Sequence, residues 1–411
     1  MPERLQFLWR PGPWFWAVVA VGALLRVFLA VATRGTSDAE IWSDHAMRVA
    51  TVGLVEHYAE DPMFNHPPFI SEVMAWLFAL AQATGVEFRV LYRLVFIPFD
   101  LANVWLLTLV LRRTPWRFVA AAAYAVAPVA LTLSGMHGNT DPLIATCLLA
   151  ACLCVDARQP VLAGFAIGLG AWIKLPGLLA APALGFALPR WRDRATCAVT
   201  ALVVATSTYL FALAAAPQLL GARVFGYRGL FIHTLHTPPI WVWGFKSWFI
   251  RLWGPPGAWP SPVLWYTENS QWIAIALMLL LAFLRRREND ARGIAVTIAA
   301  TFALFYGLVE TWTFQYFAWS MPFWFAAGLP YALCANLFGG GYLYALYVYV
   351  CGDLLLRPRW AFDTAPPWPM SLILQRDLAH LTFFAFGVLW LVRAIHAEAR
   401  ARSGSPRGPG R

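Results

Sequence analysis

Charged residues are scarce in this chain of 411 residues, where Asp, Glu, Lys and Arg together make up 13%. Soluble domains carry roughly 25%, and the mean hydropathy of +0.59 is correspondingly high. The apolar runs also lack the strict alternation of apolar and polar residues that membrane β-barrel strands require. These absences exclude an ordinary soluble domain and a barrel, and they favour an all-α, polytopic transmembrane protein.

The sequence also has few residues and motifs of the common enzyme and metal classes. Its six cysteines all lie inside apolar runs, which predicts packing roles without a disulfide or a zinc site. His233 and His236 are three residues apart, but no third ligand is in register with them. No phosphate-cradling glycine-rich loop and no Ser-His-Asp set occurs. We therefore expect neither a metal nor another cofactor.

The net charge of +10 comes from short Arg and Lys clusters between the apolar runs. That arrangement follows the positive-inside rule of membrane proteins. Nucleic-acid binding is disfavoured because no basic soluble domain exists to carry it. Residues 395–411 are rich in Arg, Gly, Ser and Pro and are expected to form a disordered cytoplasmic tail.

The apolar runs predict about twelve spans with both chain ends inside the cell. Residues 1–394 then form one transmembrane domain with two long outer loops, an acidic loop at 34–89 with interfacial helices and a Trp-rich loop at 217–267. The first span is too long for a cleaved signal peptide and is expected to stay. The predicted spans outside the segment 161–188 are 14–33, 90–111, 116–133, 140–155, 195–216, 271–284, 293–309, 317–335, 342–356 and 378–392.

The segment 161–188 is too long for one crossing and short for two, and arginines flank it on both sides. Two short helices broken near Lys174-Leu175-Pro176 fit the arginines, because proline interrupts a helix. Lys174 would then lie at the outer side or in a cavity, as the one cation deep in an apolar run after Arg26. A single tilted helix is the alternative, and it would reverse every later span.

Six carboxylates gather directly after the first span, at Asp38, Glu40, Asp44, Glu56, Glu60 and Asp61. Negative charge held at the edge of a basic membrane protein indicates general base chemistry there. Asp38 is the predicted base, with a helix cap at Ser37 or Asp38 as the structural alternative. Asp44 is a candidate substrate contact, although for Asp44 and Glu40 a solvated position or a partner on that helix is the favoured interpretation.

The other unusual polar groups fall on the same, outer side of the predicted topology, and together they predict a binding site. For His66 the alternative is a turn before a helix, and for His137 and Asp141 it is a turn with a helix cap. Asp100, inside a span, is expected to hydrogen-bond a neighbouring helix. The candidate phosphate ligands are Arg228, Arg223 and Lys174, and the other candidate substrate contacts are His66, His137, Asp141, Glu310 and Gln315.

The order of these motifs resembles the polyprenol-phosphate-sugar-dependent glycosyltransferases of the GT-C superfamily, and within them the bacterial integral-membrane mannosyltransferase-like group. Each motif is short, and their order over residues 14–335 carries the resemblance. One departure is that Phe314-Gln315 stands where the related enzymes of the endoplasmic reticulum have a His-Glu pair. The matching positions are Asp38, His66-Pro67-Pro68-Phe69, Asp100, Gly138 to Asp141, Lys174-Leu175-Pro176, Arg223 with Arg228-Gly229-Leu230, and Gln315 to Trp319.

The resemblance implies transfer of a sugar, mannose-like, from a polyprenyl-phosphate donor to an acceptor hydroxyl of a glycan or glycolipid. It implies an inverting direct displacement at the outer face of a bacterial plasma membrane, without a metal. A transporter or flippase of lipid-linked saccharides is the alternative. The absence of two recognisable halves and the gathering of polar residues on one side weigh against it.

Overall fold

A computed structural model describes residues 11–62, 64–226, 242–254, 256–310, 314–351 and 368–403. Most of these residues are helical and none of them forms a β-strand, which confirms the predicted all-α class. The described helices are α1 (Pro13–Ala32), α2 (Ser37–Val52), α3 (Leu54–Glu60), α4 (Pro68–Thr84), α5 (Phe88–Val110), α6 (Arg117–Ala125), α7 (Pro128–Leu131), α8 (Asp141–Asp156), α9 (Pro160–Ile173), α10 (Ala181–Ala187), α11 (Trp191–Ser207), α12 (Leu210–Ala215), α13 (Pro217–Leu220), α14 (Gly244–Trp253), α15 (Ser261–Leu284), α16 (Ala291–Leu308), α17 (Phe317–Ala327), α18 (Leu329–Cys334), α19 (Gly340–Cys351) and α20 (Met370–Arg402).

Five of the described helices, α1, α5, α15, α16 and α20, are long and apolar enough to cross a membrane. A sixth crossing results if the bent pair Arg117–Ala125 and Pro128–His137 counts as one span. The predicted total of about twelve is not reached among the described residues, because several predicted spans fall on shorter helices. That total therefore stays a prediction.

Prolines explain where two predicted spans break. The pair α6 and α7 bends by 43° just before Pro128, where a proline ring cannot continue the helix. The break predicted at Lys174-Leu175-Pro176 is confirmed, since Lys174 is extended between α9 and a 3₁₀ turn at Leu175–Ala180. Whether the segment crosses the membrane twice stays a prediction.

The helix predicted after His66-Pro67 is also confirmed, because α4 begins at Pro68. Proline suits the first position of a helix, where its missing N–H would have no partner. α2 packs along α4, and α3 closes one end of the pair. The segment predicted as the acidic outer loop is thus a small helical layer, and its placement at the membrane interface stays a prediction.

The centre of the fold is α16, which is almost wholly enclosed by α15, α17, α20 and α8. α8 in turn packs against α5 and α9, and α9 lies against α11. Small residues allow these close approaches. A Cβ at Gly164 or Gly168 of α9 would clash with the backbone of α11. This framework holds the amino-terminal end of α8 and the break after α9 beside each other.

A buried ion pair joins α1 to α5. Arg26 Nη2 lies 2.7 Å from Asp100 Oδ2, and both side chains are enclosed. Arg26 Nε also donates to Ser134 Oγ, and the Tyr124 hydroxyl donates to Asp100 Oδ1. The prediction that Asp100 hydrogen-bonds neighbouring helices is therefore confirmed. Because both charges are paired and hydrogen-bonded, the apolar interior tolerates them.

Two predicted boundaries are wrong. α15 begins at Ser261, inside the segment 217–267 predicted to be an outer loop, since Pro262 starts the helix at its first turn. α20 continues to Arg402, so residues 395–402 are helical where a disordered tail was predicted. Arg286 and Arg402 both bind Glu398 there and support that last part of the helix. Residues 404–411 lie outside the described part.

The cysteines agree with the predicted packing role. Cys147, Cys152 and Cys197 are free thiols buried within helices, and Cys152 and Cys197 belong to the main apolar core. Cys154 and Cys334 are also free and partly exposed.

Candidate functional site

Asp38 stands in the first turn of α2, directly after α1 ends. The chain reverses there through Gly35, which has a φ of +80°. A Cβ at Gly35 would lie 2.8 Å from the Met136 carbonyl oxygen, so glycine permits both the backbone conformation and the close approach. The helix cap proposed for Asp38 is not formed: Thr36 is the residue before the first turn, and no side chain caps it.

Asp38 instead faces His137. Asp38 Oδ2 lies 3.0 Å from His137 Nε2, and a hydrogen bond of 2.8 Å joins His137 Nδ1 to Thr36 Oγ1. The His137 side chain is fully enclosed, whereas 19% of the Asp38 side chain is exposed. Of the two partners, Asp38 is therefore the one that a bound molecule can reach.

The charge state of Asp38 follows from this setting. Burial acts to raise the pKa of its carboxyl, but His137 and Lys174 outweigh burial and hold the pKa below its ordinary value of 3.8. Asp38 is therefore an ionised carboxylate at neutral pH. An ionised carboxylate can accept a proton, as a general base must.

His137 reaches Asp38 because the tip between α7 and α8 folds back onto the end of α1. Arg93, buried in α5, donates from Nη1 to the Met136 carbonyl at 3.0 Å and from Nη2 to the Thr33 carbonyl at 2.7 Å. Gly138 has a φ of +73°, and a side chain there would meet Arg93. One guanidinium thus fixes the tip that carries His137 and the turn that precedes Asp38.

Lys174 and Asp141 form a second ion pair, with Lys174 Nζ 2.8 Å from Asp141 Oδ1. Asp141 is fully enclosed and Lys174 is 14% exposed. Thr140 is the N-cap residue of α8, as one alternative proposed, but its side chain makes no capping hydrogen bond. Asn139 Oδ1 accepts the Asp141 N–H instead. The Asp141 carboxylate is thereby left for Lys174. Lys174, at the end of the broken helix α9, supplies the cation. The two ion pairs are neighbours because His137 and Asp141 both belong to the segment between α7 and the start of α8, and Lys174 accordingly lowers the pKa of the Asp38 carboxyl.

His66 lies in the same neighbourhood. Its ring stacks on Trp42 of α2 at a centroid distance of 3.9 Å. Burial, together with His45, Lys174 and His57, holds the pKa of His66 well below its ordinary value. A neutral imidazole beside an aromatic ring suits contact with an uncharged polar ligand. Its predicted turn is present, while contact with a substrate stays a prediction.

Glu310 is held elsewhere, after the end of α16. Its Oε2 accepts the backbone N–H of Lys246 at 2.5 Å. Burial raises the pKa of the Glu310 carboxyl to about 8, against the opposing effects of Lys246 and Tyr266. Glu310 is thus a buried acid in a pair with α14, and the structure gives it no contact with Asp38 or Lys174 among the described residues.

The remaining predicted site residues are not part of the cluster around Asp38 and Lys174 that the structure describes. Arg223 donates from Nε to the Tyr58 carbonyl at 3.1 Å, beside α3. Asp44 is exposed on α2, and Gln315 is half-buried in a 3₁₀ turn at Phe314–Tyr316. Arg228, His233 and His236 lie outside the described residues, so their predicted roles stay predictions.

Three ligand-type side chains gather beside His66. The donor atoms of His45, His57 and Asp61 all lie within 4.8 Å of one another. Sequence spacing does not join them, because His45 is on α2, His57 is on α3 and Asp61 follows α3. Among the residues that the structure describes, these three form the group that could hold a metal ion.

Sequence reasoning missed Thr36 and Arg93. The statement that Lys174 is the one deep cation after Arg26 is wrong, since Arg93 is fully buried in α5. Its signal was present: an arginine inside a predicted span needs internal partners. Thr36 carries no such signal, because only the fold brings its hydroxyl to His137.

Comparison with protein-family models identifies the family of this chain. Residues 64–311 match the model of glycosyltransferase family 87. The match covers more than half of the chain, so the protein belongs to this family, a family of the GT-C fold. The predicted GT-C membrane glycosyltransferase is thereby confirmed. The matched range includes His137, Asp141 and Lys174, while Asp38 precedes it. A search of curated proteins finds no match.

Proposed function

We propose that this member of glycosyltransferase family 87 transfers a sugar from a polyprenyl-phosphate donor to an acceptor hydroxyl, with inversion at the anomeric carbon. The observation that carries the proposal is the neighbourhood of Asp38 and Lys174 at one partly open site. Direct displacement needs a base for the attacking hydroxyl and a cation for the leaving phosphate. The Asp38–His137 pair supplies the base, and the Lys174–Asp141 pair supplies the cation.

Asp38 is the proposed base. It is ionised at neutral pH and is the partly exposed member of its pair with His137. In the reaction, the acceptor oxygen forms a bond to the anomeric carbon as the bond to the donor phosphate breaks. The hydroxyl proton passes to the Asp38 carboxylate. His137, fixed by Thr36, orients that carboxylate and favours its charged form.

Lys174 is the proposed contact of the donor phosphate. Phosphate gains negative charge as it leaves, and a cation close to it stabilises that charge. Asp141 holds Lys174 in place from the enclosed side, which leaves the ammonium group accessible from the other. Arg228 and Arg223 remain additional candidates, because arginine binds phosphate with paired donors. The carbonyl contact of Arg223 makes it the weaker of the two.

The proposed setting is the outer face of a bacterial plasma membrane, with a mannose-like sugar and a glycan or glycolipid acceptor. A lipid-linked donor enters sideways from the bilayer, so a site between spans and interfacial helices suits it. The partly open cluster at the junction of α1, α2 and the broken α9 agrees with that route. Membership in a glycosyltransferase family speaks against the transporter alternative.

The direct test uses purified protein in detergent or liposomes. Radiolabelled polyprenyl-phosphate mannose, glucose and arabinose are supplied separately with a panel of glycan and glycolipid acceptors. Transfer from one of these donors, with the anomeric configuration inverted in the product, supports the proposal. Activity confined to nucleotide-sugar donors, or retention of configuration, would contradict it.

A further inference from the structure

Three side chains from separate elements converge beside the site. His45 Nδ1 lies 2.9 Å from His57 Nε2 and 3.6 Å from Asp61 Oδ2. We propose that His45, His57 and Asp61 bind one divalent transition-metal ion of the Zn²⁺ type. This proposal is independent of the sugar-transfer proposal, and it replaces the expectation of a metal-free protein.

The distances fit a shared ion. Zinc binds imidazole nitrogen and carboxylate oxygen at about 2.0–2.2 Å, so two ligand atoms around a tetrahedral ion lie about 3.3 Å apart. The two separations measured from His45 Nδ1, 2.9 and 3.6 Å, lie on either side of that value. All three atoms lie within 4.8 Å of one another, so the side chains of His57 and Asp61 would rotate towards each other to bind the same ion.

A hydrogen bond between the two imidazoles is the simpler explanation of the 2.9 Å contact. The Asp61 carboxylate adds a charge contact to it, since Asp61 Oδ2 lies 3.6 Å from His45 Nδ1, beyond hydrogen-bond distance. Two imidazole nitrogens and a carboxylate oxygen within 4.8 Å of one another are also a known donor set for zinc. A single cation between them would be bound by all three side chains.

The surroundings also suit a bound ion. Phe64 packs against both rings, with centroid distances of 4.9 Å to His45 and 4.2 Å to His57. His57 is buried and His45 nearly so, whereas 28% of the Asp61 side chain is exposed. The site therefore has an apolar wall on one side and an open side at Asp61, through which an ion and a fourth ligand from water can enter.

A bound ion would stabilise the arrangement of the helices around it. It would cross-link α2, α3 and the turn that follows α3. That turn continues to His66, whose carbonyl accepts the Tyr58 hydroxyl and whose ring lies 5.8 Å from that of His45. The metal would thereby hold His66 against Trp42, at the edge of the Asp38 cluster, without contacting the reacting atoms.

The test measures metal binding itself. Chelator-treated full-length protein is titrated with Zn²⁺, and bound metal is counted by mass spectrometry. Co²⁺ substitution then reports the ligand geometry by its visible absorption spectrum. We expect one ion per chain and a rise in melting temperature on adding Zn²⁺. His57→Ala and Asp61→Asn should each weaken binding at least about tenfold, since even outer-shell changes cost that much.

His396→Ala is the matched control, because His396 is exposed on α20, away from this cluster. It should bind Zn²⁺ as the wild type does. If the wild type binds no Zn²⁺ in the micromolar range, the proposal is wrong, whether or not the variants fold. Equal affinity in wild type, His57→Ala and Asp61→Asn would overturn it too. Failure of sugar transfer in protein that binds the ion normally would bear on the proposed function alone.

Discussion

Asp38 Oδ2 and His137 Nε2 lie 3.0 Å apart, although Asp38 is in the first turn of α2 and His137 precedes α8. The pair gives the partly exposed carboxylate an enclosed partner that favours its ionised form. Each member can be changed separately, and the two changes have different expected effects.

Replacing Asp38 by Asn keeps the size of the side chain and removes the proposed base. We expect turnover to fall at least about a hundredfold, while the protein folds and still binds the donor. Single-turnover kinetics and donor affinity measure the two effects separately. Glu56→Gln, an exposed change on α3, should leave turnover unchanged. Near-normal turnover in Asp38→Asn would end the assignment, and Asp44 and Glu40 would be tested next.

Replacing His137 by Gln should shift the pH dependence of the reaction. His137 lowers the pKa of Asp38, so its loss raises that pKa. Because the base acts in its ionised form, the acidic limb of the kcat/KM profile should move to higher pH. A merely structural role would reduce activity without moving the limb. The kcat/KM profiles of wild type and variant from about pH 3 to about pH 8, a range that includes the ordinary pKa values of carboxylates and histidines, decide between the two.

Removing the Lys174 cation should weaken donor binding. One lost hydrogen bond to a charged group costs roughly 1.5–3 kcal/mol, which is about a 10- to 150-fold loss of affinity. Lys174→Met combined with Asp141→Asn removes both charges and avoids an unpaired buried carboxylate. Arg192→Ala, an exposed change on α11, is the control. If donor affinity is unchanged in the double variant, Arg228→Lys and Arg228→Ala become the decisive pair.

Glu310 should make stability depend on pH. Its pKa is about 8 in the folded protein and ordinarily 4.5, so the folded state holds an extra proton between these values. The free energy of unfolding therefore falls as pH rises from about 4.5 to about 8, by on the order of a few kcal/mol. Melting temperatures across that range should decline more in wild type than in Glu310→Gln. Parallel declines in the two proteins would contradict the assignment.

Removing one member of the Arg26–Asp100 ion pair should destabilise the protein more than replacing both members by apolar residues. Arg26→Met leaves a buried carboxylate without its counter-ion, which costs about 3–5 kcal/mol. Arg26→Met with Asp100→Leu removes both charges and should recover much of that loss. Melting temperatures in detergent measure both changes. A double variant no more stable than Arg26→Met would show that packing around the pair matters more than its charge.

The local parts of the fold were predictable from sequence. Proline positions gave the start of α4 and the break at Lys174, because proline acts on its own helix wherever it occurs. The sequence analysis selected Asp38, Asp141 and Lys174 as candidate site residues, because polar side chains in an apolar chain need partners. The bend before Pro128 has the same proline signal, but residues 116–133 have the length of one ordinary span, so a single helix was predicted there.

The pairings within the site were not predictable. Nothing in the sequence joins Asp38 to His137 or Asp141 to Lys174, because these contacts depend on how the tip after α7 folds onto α1. Arg93 holds that tip, and its partners are backbone carbonyls, which have no sequence signature. The same holds for His45, His57 and Asp61, which meet only after α3 folds back on α2.

The salt bridge between α1 and α5 also bears on how the chain enters the membrane. A lone arginine at the middle of a span costs about 2.5–3.5 kcal/mol on insertion, and α1 emerges from the ribosome well before α5. Asp100, which neutralises Arg26 in the finished protein, is not yet available at that moment. The cost of inserting Arg26 therefore falls on α1 alone until α5 is available to neutralise it.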